Sequence, residues 1–456
     1  MTITTLRSTR RASQFGVIGA MEALALLGGT PVRTQPFSME VPQINDDDVA
    51  AVTECLRERR LSIFSSGRIA KFEEAFANFV GTRHAVALTS GTAALQTALV
   101  ASEIGAGDEV IVPVYTYAAT INAILLQGAT PVFADIDTHS FVLPAGSAQI
   151  RKLVTSRTKA IVVVDLFGNP TPRQGILNLA NECHLRLIED CAQSTGAEVQ
   201  GKAVGSFGIG CHSFGEIKNM TSAEGGMLTT DDENIARRAR LMRHAGEVWR
   251  ETHTTTIGSS PRRLTDMING IDYELIGANF RMNALQAALG LSQLKRLSTF
   301  NKERVAIAEF YLSNMSRLEG IEFMRVDPSA YAVYNRFPIS IGDSLDIPRD
   351  AFLAAVISEG VPAGVYYPIP FNRTTLMNRR QGGLTAHVSY PSAERACAHH
   401  ILLPCYPGIP LDELNDVVRA IAKVANAIRD PTTASRVIER SGQIEAAYFG
   451  QFFTRT

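Results

Sequence analysis

The sequence predicts an α/β fold: a largely parallel sheet of the seven-stranded type with flanking helices, followed by a smaller C-terminal region of α+β character. Three observations predict it. From about residue 85, short apolar runs alternate with helical segments. Several runs are continuous Val/Ile/Leu stretches, the pattern of strands buried on both faces. The chain's unusual motifs fall at or just after the ends of these runs, where open α/β sheets bind ligands.

Taken in order, the predicted strands are Ala85–Leu88, Glu109–Val114, Pro131–Asp135, Ala160–Asp165, Leu185–Glu189, Gly210–Phe214 and Gly226–Leu228. Between them, Thr92–Ser102 and Ala118–Leu126 read as helices, with Gly-Ala or Gly-Asp soon after their ends. Residues 247–272 are polar and rich in Thr, Ser and Arg, and read as a long loop. A helical pattern then runs from Met282 to about Met315. The expected division is an N-terminal extension over 1–27, a large domain over 28–300, a small domain over 301–430 and a helical tail over 431–456 that ends in aromatics. No internal repeat or low-complexity tract interrupts this order.

With 456 residues, 45% hydrophobic and 20% charged, the chain is long enough for two or three domains of ordinary globular type. A formal net charge of -1 and the lack of any basic run argue against nucleic acid or an acidic membrane as partner. No apolar run reaches the roughly 18 residues that span a bilayer. Cys55, Cys183, Cys191, Cys211, Cys397 and Cys405 are scattered without metal-ligand spacing, as expected of thiols in a reducing compartment. The first twenty residues are basic, with Arg7, Arg10 and Arg11, but lack an apolar segment followed by a cleavage site. A disordered extension or an upstream start codon, and a cytoplasmic protein, are expected.

Four motifs carry chemistry. Ser90-Gly91-Thr92 ends a strand and opens a helix, where small residues and the helix dipole suit an anion; a simple helix cap uses the same residues. Pro113-Val114-Tyr115-Thr116-Tyr117 puts aromatics after a second strand, able to stack on a flat ring or to pack at the core's edge. Asp190, in Ile188-Glu189-Asp190-Cys191-Ala192-Gln193, ends a third strand and could cap a helix, hold a metal or keep a ring nitrogen protonated. Lys218 follows in Ser213-Phe214-Gly215-Glu216-Ile217-Lys218-Asn219-Met220, which closes on Glu224-Gly225-Gly226. A lone lysine is ordinarily a solvated charge. An imine-forming lysine beside a carboxylate that protonates a pyridine is what pyridoxal phosphate chemistry requires.

Together these motifs resemble the sugar aminotransferases of the DegT/DnrJ/StrS type, within the fold-type-I (aspartate aminotransferase-like) pyridoxal phosphate enzymes. The resemblance covers roughly residues 28–428. It also rests on Gly28-Gly29-Thr30-Pro31, on Ala93-Ala94-Leu95 after Thr92, and on Gly277-Ala278-Asn279-Phe280-Arg281-Met282 followed by Gln286-Ala287. It implies that Lys218 binds pyridoxal 5'-phosphate and then carries the substrate proton, and that Asp190 pairs with the pyridine nitrogen. Gln193 would lie near the ring's 3-hydroxyl, and Tyr117 would stack on the ring. Gly91, Thr92 and Ser213 match phosphate contacts. Asn279 matches a residue that reaches the neighbouring subunit's cofactor, which implies a homodimer with shared active sites.

The implied activity is transfer of an amino group from glutamate or glutamine to a keto sugar, a nucleotide-linked keto sugar or a keto-cyclitol, in secondary-metabolite (antibiotic) or glycan biosynthesis. Two stretches depart from the family pattern. A usual His-Gly becomes Arg243-His244-Ala245-Gly246, and a usual His-Tyr-x-Pro-x-His becomes Tyr366-Tyr367-Pro368-Ile369-Pro370. His244, Tyr366 and Tyr367 are therefore substrate candidates, with packing at the domain interface as the alternative reading of each. Two rival readings are a keto-sugar dehydratase and a non-catalytic cofactor-binding regulator. Dehydratase relatives replace the lysine with histidine, whereas this chain keeps Lys218; the regulator has no use for lysine, acid and aromatic together.

Overall fold

The computed structural model describes residues 23–38, 41–146, 148–249, 271–380 and 387–443. All seven predicted runs form strands of one sheet: β1 His84–Leu88, β2 Glu109–Pro113, β3 Thr130–Ala134, β4 Thr158–Val164, β5 Arg186–Asp190, β6 Ile209–Ser213 and β7 Gly226–Thr230. Their order across the sheet is β1-β7-β6-β5-β4-β2-β3. β6, β5, β4, β2 and β3 run parallel, while β7 is antiparallel to both its neighbours. The apolar runs follow from this placement. Every residue of β2 is buried, as is all of β4 except Lys159, because helices cover both faces.

Helices Gly91–Ala101 and Ala118–Leu126 connect parallel strands, as their sequence patterns predict. Four motif-bearing positions consequently share one edge of the sheet. β1 leads into Ser90, β2 into Tyr115 and Tyr117, β5 ends on Asp190 and β6 ends on Ser213. Gly226, at the start of β7, is paired with both Leu88 and Ser213, so it joins the first and last of these strand ends.

The helical pattern from Met282 resolves into two helices, Ala284–Leu294 and Leu297–Met315, separated at Lys295 and Arg296. Periodicity does not reveal such a break, because apolar positions recur on either side of it. The two ends of the polar segment 247–272 also differ from the expected loop. They pair as an antiparallel ribbon, Glu247–Trp249 against Ile271–Tyr273. Residues 250–270 lie outside the described residues, as do residues 1–22 and the tail's closing aromatics.

A second sheet of three antiparallel strands, Ile321–Phe323, Phe337–Ile341 and His400–Leu403, packs with helices Leu297–Met315, Arg349–Ser358 and Leu411–Ala427 around a separate apolar core. Helix Pro431–Ser441 adds Val437 to that core, and Leu24 joins it from the other end of the chain. Buried Glu359 fixes this N-terminal segment. It accepts hydrogen bonds from the Ala25 and Val32 amides at 2.9 and 3.0 Å and from Lys423 Nζ at 2.9 Å.

Candidate active site

Asp190 is the fixed point of the site. It is buried at the end of β5, where Oδ2 accepts a 2.8 Å hydrogen bond from the Thr120 hydroxyl and Oδ1 accepts a 3.1 Å bond from the Ala192 amide. Burial raises its pKa, opposed by those two bonds and by the charge of Lys218. No Lys, Arg or His among the described residues forms an ion pair with it. A buried carboxylate without a cation calls for a positively charged partner.

Lys218 is half-buried, and desolvation pulls its pKa down from 10.5 to about 8, opposed by Asp190 and assisted by Arg336. Its loop is held from both sides. Asn335 Nδ2 donates to the Ile217 carbonyl at 3.4 Å and to Asn219 Oδ1 at 3.0 Å. Asn219 Nδ2 in turn donates to Asn301 Oδ1 at 2.8 Å, and Asn301 Nδ2 to the Thr195 carbonyl at 3.0 Å. This buried amide chain ties the residues flanking the lysine to the approach of the second sheet.

The anion motif has the expected form. Ser90 caps helix Gly91–Ala101, its hydroxyl accepting from the Ala93 amide at 3.1 Å. The amides of Gly91 and Thr92 precede the first helical hydrogen bond and so have no intrahelical acceptor. The cap and the anion reading thus coexist, since the cap uses only the third amide of the turn. Glycine is required at position 91 because a Cβ there would lie 2.7 Å from Ser213 Cβ; at Gly226 it would lie 2.2 Å from the Ser90 carbonyl oxygen. Ser213 is thereby pressed against the helix start.

The structure brings Tyr117, Gln193 and Tyr367 to the same place. Tyr117 is 58% exposed, and its ring centroid lies 6.0 Å from that of Tyr367 at an interplanar angle of 33°. Gln193 accepts from the Phe167 amide at 2.8 Å and donates to the Tyr367 hydroxyl at 3.4 Å. Buried Tyr115 positions the pair that follows: its hydroxyl accepts from the Tyr367 amide at 2.9 Å, donates to the Tyr366 carbonyl and lies 3.0 Å from His400 Nε2.

His244 and Asn279 belong to a neighbouring cluster, which the Thr89 amide joins to the end of β1 by donating to the Phe280 carbonyl at 3.1 Å. His244 Nδ1 is 2.8 Å from Arg281 Nη1, Nε2 is 3.4 Å from Glu247, and the ring packs edge-on against Phe64. Its backbone bridges to Asn279, which is exposed. The contacts of both run to that cluster rather than to Lys218 or Asp190.

Sequence reasoning missed Thr120, Asn335 and Arg336. Thr120 had a signal, standing one helical turn after Tyr117 on a helix that leaves the sheet beside Asp190. Asn335 and Arg336 had none, because the fold brings them to Lys218 from more than a hundred residues away.

These groups fit pyridoxal phosphate. An unpaired buried acid faces the need for a protonated ring nitrogen, a half-buried lysine has a lowered pKa, an open aromatic offers a stacking face, and a helix start has two amides to spare. The comparisons agree. Residues 42–422 match the DegT/DnrJ/EryC1/StrS aminotransferase family. The chain is 33% identical over 388 residues to UDP-N-acetyl-3-dehydro-alpha-D-glucosamine 3-aminotransferase of Acidithiobacillus ferrooxidans, covering 85% of this chain and 94% of that protein. It is 35% identical over 337 residues to GDP-perosamine synthase of Caulobacter vibrioides, covering 73% and 85%. Among solved structures, an aminotransferase from Psychrobacter cryohalolentis superposes with a TM-score of 0.78 at 31% identity, over 87% of this chain and all of that one. The chain belongs to the DegT/DnrJ/EryC1/StrS aminotransferase family, whose members use pyridoxal phosphate.

Proposed function

We propose that this enzyme takes its amino group from glutamate or glutamine and delivers it to a ketone on a sugar, a nucleotide-linked sugar or a cyclitol. The observation that carries the reading is the convergence of Lys218, Asp190 and Tyr117 at one edge of the sheet, beside a helix start suited to phosphate. The similar proteins from A. ferrooxidans and C. vibrioides, by their names, support a nucleotide-linked keto sugar as acceptor class. We place the reaction in a secondary-metabolite or glycan pathway; six unpaired cysteines support a reducing cytoplasm as its setting.

Bound pyridoxal phosphate supplies an electron sink that stabilises the carbanion left when the substrate loses its α-proton. Lys218 Nζ would take that proton and return it to the carbon two atoms away, on the far side of the imine nitrogen; a pKa near 8 makes its amine available as a base near neutrality. The Asp190 carboxylate, steadied by Thr120 and the Ala192 amide, would keep the ring nitrogen protonated. Gly91, Thr92 and Ser213 would hold the phosphate, Tyr117 would offer its exposed ring for stacking, and Gln193 would serve the 3-hydroxyl. Tyr366 and Tyr367 face the substrate.

Asn279 and His244 fit a shared site in a homodimer. Their cluster carries apolar side chains that are bare in this chain: Phe64, packed on His244, is 70% exposed, and Ile276, three residues before Asn279, is 93% exposed. Lys218→Ala is expected to keep bound pyridoxamine phosphate but to lose turnover. Normal transamination by that variant, or no spectral response of the wild-type holoenzyme to any amino acid, would defeat the proposal.

A further inference from the structure

His400 opens the last strand of the second sheet and is fully buried, with no acid paired to it among the described residues. Its ring packs against those of Phe141 and Phe167, with centroids 5.6 and 6.0 Å away. Both ring nitrogens reach main chain. Nδ1 lies against the Ala396 carbonyl, one turn back in helix Pro391–His399, as a residue that ends a helix often does. Nε2 is 2.7 Å from the Tyr366 carbonyl and 3.0 Å from the Tyr115 hydroxyl, and this second contact serves nothing in its own strand or helix.

The segment it reaches is otherwise lightly held. Gly364 exchanges hydrogen bonds of 3.1 and 2.8 Å with Leu402, and the Phe371 amide donates to the Val114 carbonyl at 2.9 Å. Between those points, among the described residues, only Tyr115 and His400 bond the main chain to other elements. The Tyr366 carbonyl and the Tyr367 amide that they hold are the two ends of one peptide group. A buried carbonyl or amide that loses its partner bears its full desolvation cost, so these bonds fix the plane of that group. The plane in turn sets the direction in which both phenols leave the chain. Tyr367 is thereby brought to Gln193, and its ring to 6.0 Å from that of Tyr117.

The network also places the ring's hydrogen. Tyr115 gives its proton to the Tyr366 carbonyl and accepts one from the Tyr367 amide, so Nε2 faces two oxygens and only a donor suits it. Burial pulls the pKa of His400 down to about 4, against both carbonyls, so the ring carries one hydrogen at neutral pH. Two oxygens face Nε2 and one faces Nδ1, which puts that hydrogen on Nε2. The neutral ring therefore bonds Tyr366 rather than Ala396. Resting on the reading above that Tyr366 and Tyr367 face the substrate, we propose that His400 is a positioning residue for both half-reactions. With Tyr115 it orients the Tyr366–Tyr367 peptide group and so aims both phenols at the pocket that donor and acceptor occupy in turn. It acts through that group and not on the reacting atoms.

Two substitutions separate this role from that of a helix cap. Glutamine carries an amide nitrogen out to where Nε2 stands, and asparagine only to where Nδ1 stands. Hydrogen exchange is followed by mass spectrometry in the apoprotein, on the peptide covering residues 364–371. His400→Asn is expected to speed its exchange about tenfold, the scale of one buried hydrogen bond lost, and His400→Gln to keep it within about threefold of the wild type. Tyr115→Phe speeds it about tenfold as well, and stands in if the Asn variant does not accumulate. In the holoenzyme, bleaching of the visible band by glutamate or glutamine should need about tenfold more amino acid in His400→Asn, at a limiting rate within about threefold, and His400→Gln restores the requirement. Protection kept in His400→Asn and lost in His400→Gln would make the residue a helix cap and overturn the proposal. Equal speeding in helix Leu411–Ala427 of the second core, or an amino-acid requirement that His400→Asn leaves unchanged, overturns it too. A wild type that responds to no amino acid would sink the proposed function alone, since the exchange comparison still decides the role of His400.

Discussion

The lowered pKa of Lys218 makes a quantitative prediction about how the apoprotein captures its cofactor. An aldehyde condenses with the neutral amine only. With a pKa of about 8, roughly a tenth of Lys218 is neutral at pH 7, against about 0.03% for an ordinary lysine, an advantage on the order of 300-fold. The sign follows directly. Below about pH 8 the amine is protonated, and capture slows about tenfold per pH unit; above it the rate levels off. The neighbours give the midpoint two handles. Asp190 raises it, so Asp190→Asn moves it lower still, whereas Arg336 lowers it, so Arg336→Gln moves it up. Stopped-flow mixing of apoprotein with pyridoxal phosphate, followed in the visible and corrected with Lys218→Ala for other lysines, measures the profile. A rate that keeps rising tenfold per unit past about pH 9, toward the value of a free lysine, would refute desolvation as the cause.

Two further substitutions test the frame around the site. Gly91→Ala places a methyl 2.7 Å from Ser213 Cβ, where the helix start and β6 must separate; a cost of about 1–3 kcal/mol in urea unfolding and a weaker hold on pyridoxal phosphate in dialysis are expected. Arg173→Met leaves Asp165 and Glu189, both fully buried, without their cation. Thermal unfolding should show a loss of about 3–5 kcal/mol, since among the described residues Glu189 is then held only by the Gly205, Phe207 and Gly208 amides.

The sequence by itself determined the sheet, because strands buried on both faces must be apolar along their whole length and helices between them must not be. That constraint is local, and so all seven strands were legible, as were the Ser90-Gly91-Thr92 turn, Asp190 and Lys218 at their ends. The elements misread were those whose local signal is weak. The break at Lys295 and Arg296 leaves helical periodicity intact on both sides, and the ribbon Glu247–Trp249 with Ile271–Tyr273 is stabilised by pairing across 21 intervening residues rather than by composition.

What only the tertiary structure decided is which distant groups meet Lys218. Asn335 grips its flanks, the charge of Arg336 acts on it, Thr120 supports Asp190, and Tyr115 sets Tyr366 and Tyr367 in place. The pKa of Lys218 is likewise a property of the fold. A lysine's neighbours in sequence do not desolvate it; the packing of remote segments around it does. The lysine with which the chemistry begins was visible in one dimension, whereas the environment that lowers its proton affinity exists only in three.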